Sequence, residues 1–237
     1  MPKEFGRNPA KDYFANPEPY LRNNPYIGLR AQMIRRMLPT LAGKSVLDLG
    51  CGDGRISIPL AGEARELWLV DASTAMIENA RRRIPAGHTG KIHCVCTDVG
   101  DFAPPHKFDV VLCIGVLAHV ADPPATLRLI AHSLVPGGCA IIQLTDEASF
   151  LGRITYRLGA LRRRARNPEL RMLNHMTLED IRGELTLAGL TFSGFCRYVL
   201  IPGIRALPPA MTQAIFSMTT ARPLARFGGE VLALISA

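Results

Sequence analysis

Three glycines stand at every second residue, Gly50, Gly52 and Gly54, directly after the run Val46-Leu47-Asp48-Leu49. An apolar run closed in this way reads as a buried strand that bends sharply. Glycine is needed there because a side chain would keep a ligand off the backbone. A helix is expected next, over about 55–64, with its free N–H groups and positive dipole end turned toward the bound group. Asp48 lies inside the strand end, just before the first glycine. A carboxylate in that position repels a diphosphate and suits the ammonium of an amino-acid moiety. A dinucleotide fingerprint would also need a third glycine at position 55, which is Arg. Asp71 lies about 20 residues beyond the turn, at the end of the next apolar run, where an acid accepts hydrogen bonds from ribose hydroxyls.

The combination Val46-Leu47-Asp48-Leu49-Gly50-Cys51-Gly52-x-Gly54 resembles the first motif of the class I S-adenosylmethionine (SAM)-dependent methyltransferases, of the small-molecule type. Asp71-Ala72-Ser73-x-x-Met76 resembles the second motif of that family. The resemblance is strong over residues 45 to about 145 and weak over the last strands. It implies SAM as the methyl donor, S-adenosylhomocysteine (SAH) as the product, and no metal. On this reading Asp48, Gly50, Cys51 and Gly52 border the donor, and Asp71 holds the ribose. Ala72 and Met76 pack beside the adenine. Asp98, followed by Val99, takes a hydrogen bond from the adenine amino group, and the backbone near Ile114 faces the methionine part. Many relatives carry Glu where this chain has Ala118, so any role of that acid is absent here.

Elements able to position these residues follow in order. Helices are expected over 27–37, 74–84, 124–134 and from the Thr177-x-x-Asp180 capping box to about 188. Strands are expected over 45–50, 66–71, 91–97, 108–115, 139–145, 191–198 and 229–235. Alternation of strands and helices specifies an α/β fold. The family resemblance makes it a seven-stranded, mostly parallel Rossmann-like sheet with an antiparallel last strand slotted between strands five and six, helices on both faces and helical cap insertions. The whole chain, 1–237, reads as one domain, with an N-terminal arm and helix over 1–44 and cap insertions over 148–175 and 201–226. The second insertion is apolar, Met-rich and expected to be irregular.

Methyl transfer needs alignment and exclusion of water more than it needs acid–base chemistry, but a hydroxyl acceptor benefits from a general base. His175 and then His119 are the candidates for it. Tyr13, Tyr20, Asp146 and Tyr156 are candidates for contact with the acceptor. The apolar second insertion suggests a hydrophobic acceptor. The arginines at 153, 157, 162, 163, 164 and 166 suggest an anionic one or a bilayer surface. A quinone-like, lipid-like or glycolipid precursor, or another natural product, satisfies both.

The net charge of +8 favours acidic partners without choosing among them. An RNA methyltransferase and a non-catalytic SAM-binding partner subunit remain as alternatives, although aromatic residues make up only 6% of the chain, few for stacking bases. Asp122-Pro123-Pro124 fails as a base-methylating motif because Ala125 offers no ring to stack. A small-molecule acceptor is therefore expected, with nucleic acid disfavoured and a homodimer allowed. No apolar run reaches the ~18 residues of a spanning helix, and the N-terminus lacks a secretion signal. The protein is expected in the cytoplasm, with peripheral contact at the inner membrane surface. Cys94 and Cys96 would share one strand face as small core residues, and Arg81, Arg82 and Arg83 would form a solvated face.

Overall fold

The computed structural model describes residues 25–146, 148–149, 174, 176–199, 208–220, 225 and 227–237. In chain order the elements are α1 (Pro25–Met37), β1 (Ser45–Leu49), β2 (Glu66–Asp71), α2 (Thr74–Arg83), β3 (Ile92–Cys96), β4 (Phe108–Cys113), α3 (Pro123–Ser133) and β5 (Leu134–Thr145). They are followed by α4 (Leu178–Leu187), β6 (Thr191–Tyr198), α5 (Pro209–Thr220) and β7 (Glu230–Ser236). The seven strands form one sheet in the order β3-β2-β1-β4-β5-β7-β6. β7 runs antiparallel to both of its neighbours, and the remaining pairings are parallel. The expected seven-stranded α/β architecture, with its antiparallel insertion between strands five and six, is the observed one.

β1 sits between β2 and β4 and is buried along its whole length. Its odd residues Leu47 and Leu49 pack with Leu127 and Ile130 of α3 and Ile181 and Leu185 of α4. Val46, on the other face, packs with Ile34 of α1, Ala80 of α2 and Phe216 of α5. Side chains alternate along a strand, so a one-residue slip would exchange Asp48 with a core leucine; burial on both faces therefore fixes the register. The pairing is also tied at its start. Asp109 Oδ2 accepts from the Ser45 backbone N–H at 2.9 Å, and Lys44 Nζ donates to Asp109 Oδ1 at 3.0 Å.

The register brings one edge of the sheet into line. Glu230 at the start of β7 lies opposite Thr145 at the end of β5 and Tyr198 at the end of β6. Asp71 ends β2, and the glycine turn ends β1. The ends of the parallel strands, where ligands of open α/β sheets bind, thus carry Asp48, Asp71, Ile114, Gln143 and Glu230 along a single edge.

Four local expectations are corrected. The helix over 55–64 is replaced by turns and a short 3-10 helix, Ile58–Gly62. Pro59 supplies no N–H and disfavours the helical conformation at Ile58, which argues against a continuous α-helix running from 55 through Pro59. The 201–226 insertion is not wholly irregular, because α5 lies within it. Cys94 packs partly against the core, but Cys96 is exposed on the edge strand β3. Arg83 is not simply solvated, since it pairs with Asp53 at 3.0 Å. No helix among the described residues is long and apolar enough to cross a membrane.

Candidate functional site

The turn after β1 closes on β2 through backbone groups. The N–H groups of Gly50 and Cys51 both donate to the Val70 carbonyl, at 2.7 and 3.0 Å. All three glycines are in the left-handed region, with φ of +70°, +55° and +72°. At Gly50 a Cβ would collide with the Val116 side chain. At Gly52 the nearest atom to such a Cβ would be Met76 Sδ at 4.0 Å, so the space above that residue is open. Without a long helix behind it, the turn has little macrodipole to offer. Its polarity comes from individual backbone groups and from the two aspartates.

Asp71 braces the turn directly. Its Oδ2 accepts from Gly52 N at 2.9 Å and its Oδ1 from Ser73 N at 2.9 Å. Each carboxylate oxygen has further acceptor capacity beyond these bonds, which is what a ribose diol requires. Burial raises the Asp71 pKa, the two N–H donors pull it back, and Asp98 pushes it up further.

Asp48 is 2% exposed. Among the described residues no cation pairs with it. Burial lifts its pKa from 3.8 to about 7; the Ser57 hydroxyl partly offsets this, and Asp71 adds to it. The Ser57 hydroxyl is itself buried and closes no hydrogen bond of ordinary geometry. A buried carboxylate and a buried hydroxyl without adequate partners, at the mouth of a glycine turn, form a receptor for a cationic N–H donor.

Cys51 Sγ lies 3.4 Å from the Gly52 carbonyl oxygen. Burial, and then the charges of Asp48 and Asp71, hold its thiol pKa well above the usual value. It therefore stays protonated and is no nucleophile. Met76 and Val99 are buried beneath the edge, while Ala72 and Ile114 are partly exposed. Asp98 caps the short 3-10 turn after β3 by accepting from Gly100 N at 3.0 Å. Asp48, Asp71 and Asp98, the residues that sequence reasoning assigned to the amino-acid, ribose and adenine parts of the donor, stand in order on β1, β2 and the β3 exit. The residues present fit SAM.

Beyond β4 the edge is different. Gly115, Leu117, Gln143, Leu144, Asn174 and Met176 line a cleft there, with Ala118 and Thr145. Asn174 straps the β4 exit: its backbone N–H donates to the Ala118 carbonyl at 2.9 Å, and its amide donates to the Leu117 and Val120 carbonyls at 3.0 and 2.6 Å. His119 lies in the strapped segment, and burial lowers its pKa, which favours the neutral imidazole a base must be.

Asp146, a candidate for acceptor contact, is 3% exposed. Its Oδ2 accepts from Arg197 at 2.6 Å, and its Oδ1 from Ala148 N and Leu178 N. The structure thus shows its carboxylate joining β5, β6 and the start of α4. His175, Tyr13, Tyr20 and Tyr156 lie outside the described residues, as does the Arg-rich 153–166 segment.

Three features escaped the sequence reading. Asp53 is 4% exposed and is clamped by Arg55 at 2.6 Å and Arg83 at 3.0 Å, which fixes the outer side of the glycine turn. Gln143 and Glu230 are joined across the buried end of the β5–β7 ladder. Asn174 is a strap whose partners are backbone carbonyls, which leave no trace in composition. Asp53 alone carried a usable signal, being an acid inside the motif with an arginine two residues on.

Residues 22–192 match the family model described as a methyltransferase domain. Curated relatives include the ubiquinone biosynthesis O-methyltransferases of Idiomarina loihiensis, 33% identical over 51% of this chain and 49% of that one, and of Neisseria meningitidis serogroup C, 37% identical over 45% and 46%. The chain spans about half the length of the curated relatives it matches. Among solved structures, magnesium protoporphyrin IX methyltransferase from Synechocystis PCC 6803 with bound SAH superposes with a TM-score of 0.67 at 16% identity, covering 96% of this chain and 97% of that one. With its glycine turn, its two aspartates and the family match over most of its length, this chain belongs to the methyltransferase-domain family.

Proposed function

We propose that this chain transfers the methyl group of SAM to a hydroxyl of a small, largely apolar acceptor of the quinone-like or lipid-like kind. The observation that carries the reading is Asp48, buried beside the open glycine turn and paired with no cation among the described residues, with Asp71 presenting acceptor oxygens one strand away. The hydroxyl preference draws support from relatives named as O-methyltransferases, and the apolar preference from Leu117, Leu144 and Met176 in the cleft.

The bound donor supplies an already activated methyl on a sulfonium. The work left to the chain is positional. Asp48 holds the ammonium, Asp71 holds the ribose, and the strap from Asn174 fixes the β4 exit against which the acceptor lies. His175 and His119 are the base candidates, and a base at this site takes the proton of the attacking hydroxyl. Contact with a membrane surface is proposed for the Arg-rich 153–166 segment, and a homodimer face for the exposed Met211 and Met218 of α5.

The test is incubation with SAM and a panel of lipophilic phenols, reading the gain of one methyl group by mass. Methylated phenol is the expected product. His175→Ala should lower turnover about 10²–10⁴-fold while SAM affinity stays unchanged. Transfer only to small polar amines would contradict the acceptor reading. Salt-dependent binding of RNA would favour the RNA alternative.

A further inference from the structure

Gln143 is 5% exposed, yet its side-chain carbonyl oxygen has no hydrogen-bond partner among the described residues. The amide is not free to turn. Its Nε2 donates to Glu230 Oε2 at 2.6 Å, and the Thr145 hydroxyl donates to Glu230 Oε1 at 3.0 Å. Glu230, buried opposite the end of β5, accepts both bonds and so dictates which end of the amide faces it. The carbonyl end therefore faces away from Glu230, and Gln143 and Gly115 both line the cleft. Gly115 has φ +75°, and a Cβ built there would stand 3.8 Å from Gln143 Oε1, so the cleft residue Gly115 puts no side chain against this buried oxygen. Of the other cleft residues, Leu117, Leu144 and Met176 have no hydrogen-bonding side chain, the Thr145 hydroxyl donates to Glu230, and the Asn174 amide donates to the Leu117 and Val120 carbonyls.

A buried, unpartnered carbonyl at the wall of a largely apolar cleft, held by a carboxylate on its other side, is a fixed acceptor awaiting a donor. It lies at the ends of β4 and β5, on the far side of β4 from Asp48. We propose that Gln143 Oε1 receives a hydrogen bond from a hydroxyl of the methyl acceptor, and that Glu230 is the positioning residue that keeps the amide turned that way. This selects apolar molecules that carry a hydroxyl over those in which the oxygen has lost its hydrogen. It rests on the methyltransferase reading above. An amide carbonyl does not take the proton, so the group serves recognition and not base catalysis.

The experiment uses the full chain saturated with SAH, titrated with naphthol and with its methyl ether. The two probes share an apolar body, and only the first has a hydrogen to donate. The wild-type protein should bind naphthol about tenfold or more tightly than the ether, and Gln143→Leu should bring the ratio near unity with SAH affinity unchanged. Glu230→Gln should weaken the discrimination in the same direction, because its amide can itself donate to the Gln143 carbonyl. If Gln143→Leu does not unfold cooperatively, Gln143→Asn, which withdraws the carbonyl by one methylene, is read in the same way.

A ratio preserved in the variants, equal binding of the two probes by the wild type, or no binding of either overturns the inference. So does a tenfold fall in SAH affinity in a well-folded Gln143→Leu, which would place the carbonyl at the donor. Failure of the wild type to bind SAH at all is a separate result, and it removes the methyltransferase reading itself.

Discussion

At the β1–β2 end of the sheet edge, Asp48 pairs with no cation among the described residues, and Asp71 accepts only from the backbone N–H groups of Gly52 and Ser73. At the β5–β7 end, Asp146 pairs with Arg197 and the charge of Arg30 acts on Glu230, while among the described residues the Gln143 carbonyl is left without a partner. The two ends share burial, polarity and a position at strand termini. They differ in whether the charge is compensated within the chain. Uncompensated buried charge is costly and persists where a ligand completes it, whereas compensated charge holds elements together. Carboxylate type and location alone therefore do not separate a ligand site from a brace; what is left unbonded does.

That contrast is open to attack. The largest effect should come from the pH dependence of Asp48. Its folded pKa, about 7, lies above its usual 3.8. The folded state therefore holds the proton more tightly, and the associated stability is present below the lower value and lost as pH rises through the higher one. The difference amounts to about 4 kcal/mol at most. Asp48→Asn should therefore stabilise the ligand-free protein at pH 8 by a large part of that amount and have little effect near pH 4, while weakening SAH binding. Denaturant melts at the two pH values check this. An Asp48→Asn protein that is less stable at pH 8 would mean the carboxylate has a partner after all.

Asp146→Ala should behave in the opposite way. It leaves the partly buried Arg197 with only the Gly228 carbonyl and the Phe195 ring, and should destabilise the fold by about 1–3 kcal/mol, with SAH affinity of the folded fraction little changed. Loss of SAH affinity without loss of stability would move Asp146 from brace to ligand site. Gly52→Ala should give a smaller effect. Its φ of +55° imposes about 1–2 kcal/mol of strain on a residue with a Cβ, but the space above it is open. A modest fall in melting temperature accompanied by a larger fall in SAH affinity is the expected pairing.

The same contrast explains what could be read from the chain. The donor end was legible because its parts are local: Asp48 and the glycines lie within seven residues, and Asp71 ends the next strand. The seven strands were legible because their apolar runs are short and separated by turn residues. The helix after the turn was misread because Pro59 was taken to bend it rather than break it, whereas the structure has only a five-residue 3-10 helix there. The β5–β7 end was not legible. Gln143 meets Glu230 across 87 positions, and Asp146 meets Arg197 across 51, so only the strand register brings them together. Asp146 was noticed for its place at the strand edge, but its partners could not be read from spacing.

Calorimetric titration with SAH, of the wild type and of Asp71→Ala, tests the central claim most directly. The account predicts micromolar binding by the wild type. It also predicts a loss of about a hundredfold or more in the variant, since two charge-assisted bonds to ribose contribute about 1.5–3 kcal/mol each. Absence of SAH binding by the wild type, or equal affinity in the variant, would contradict it.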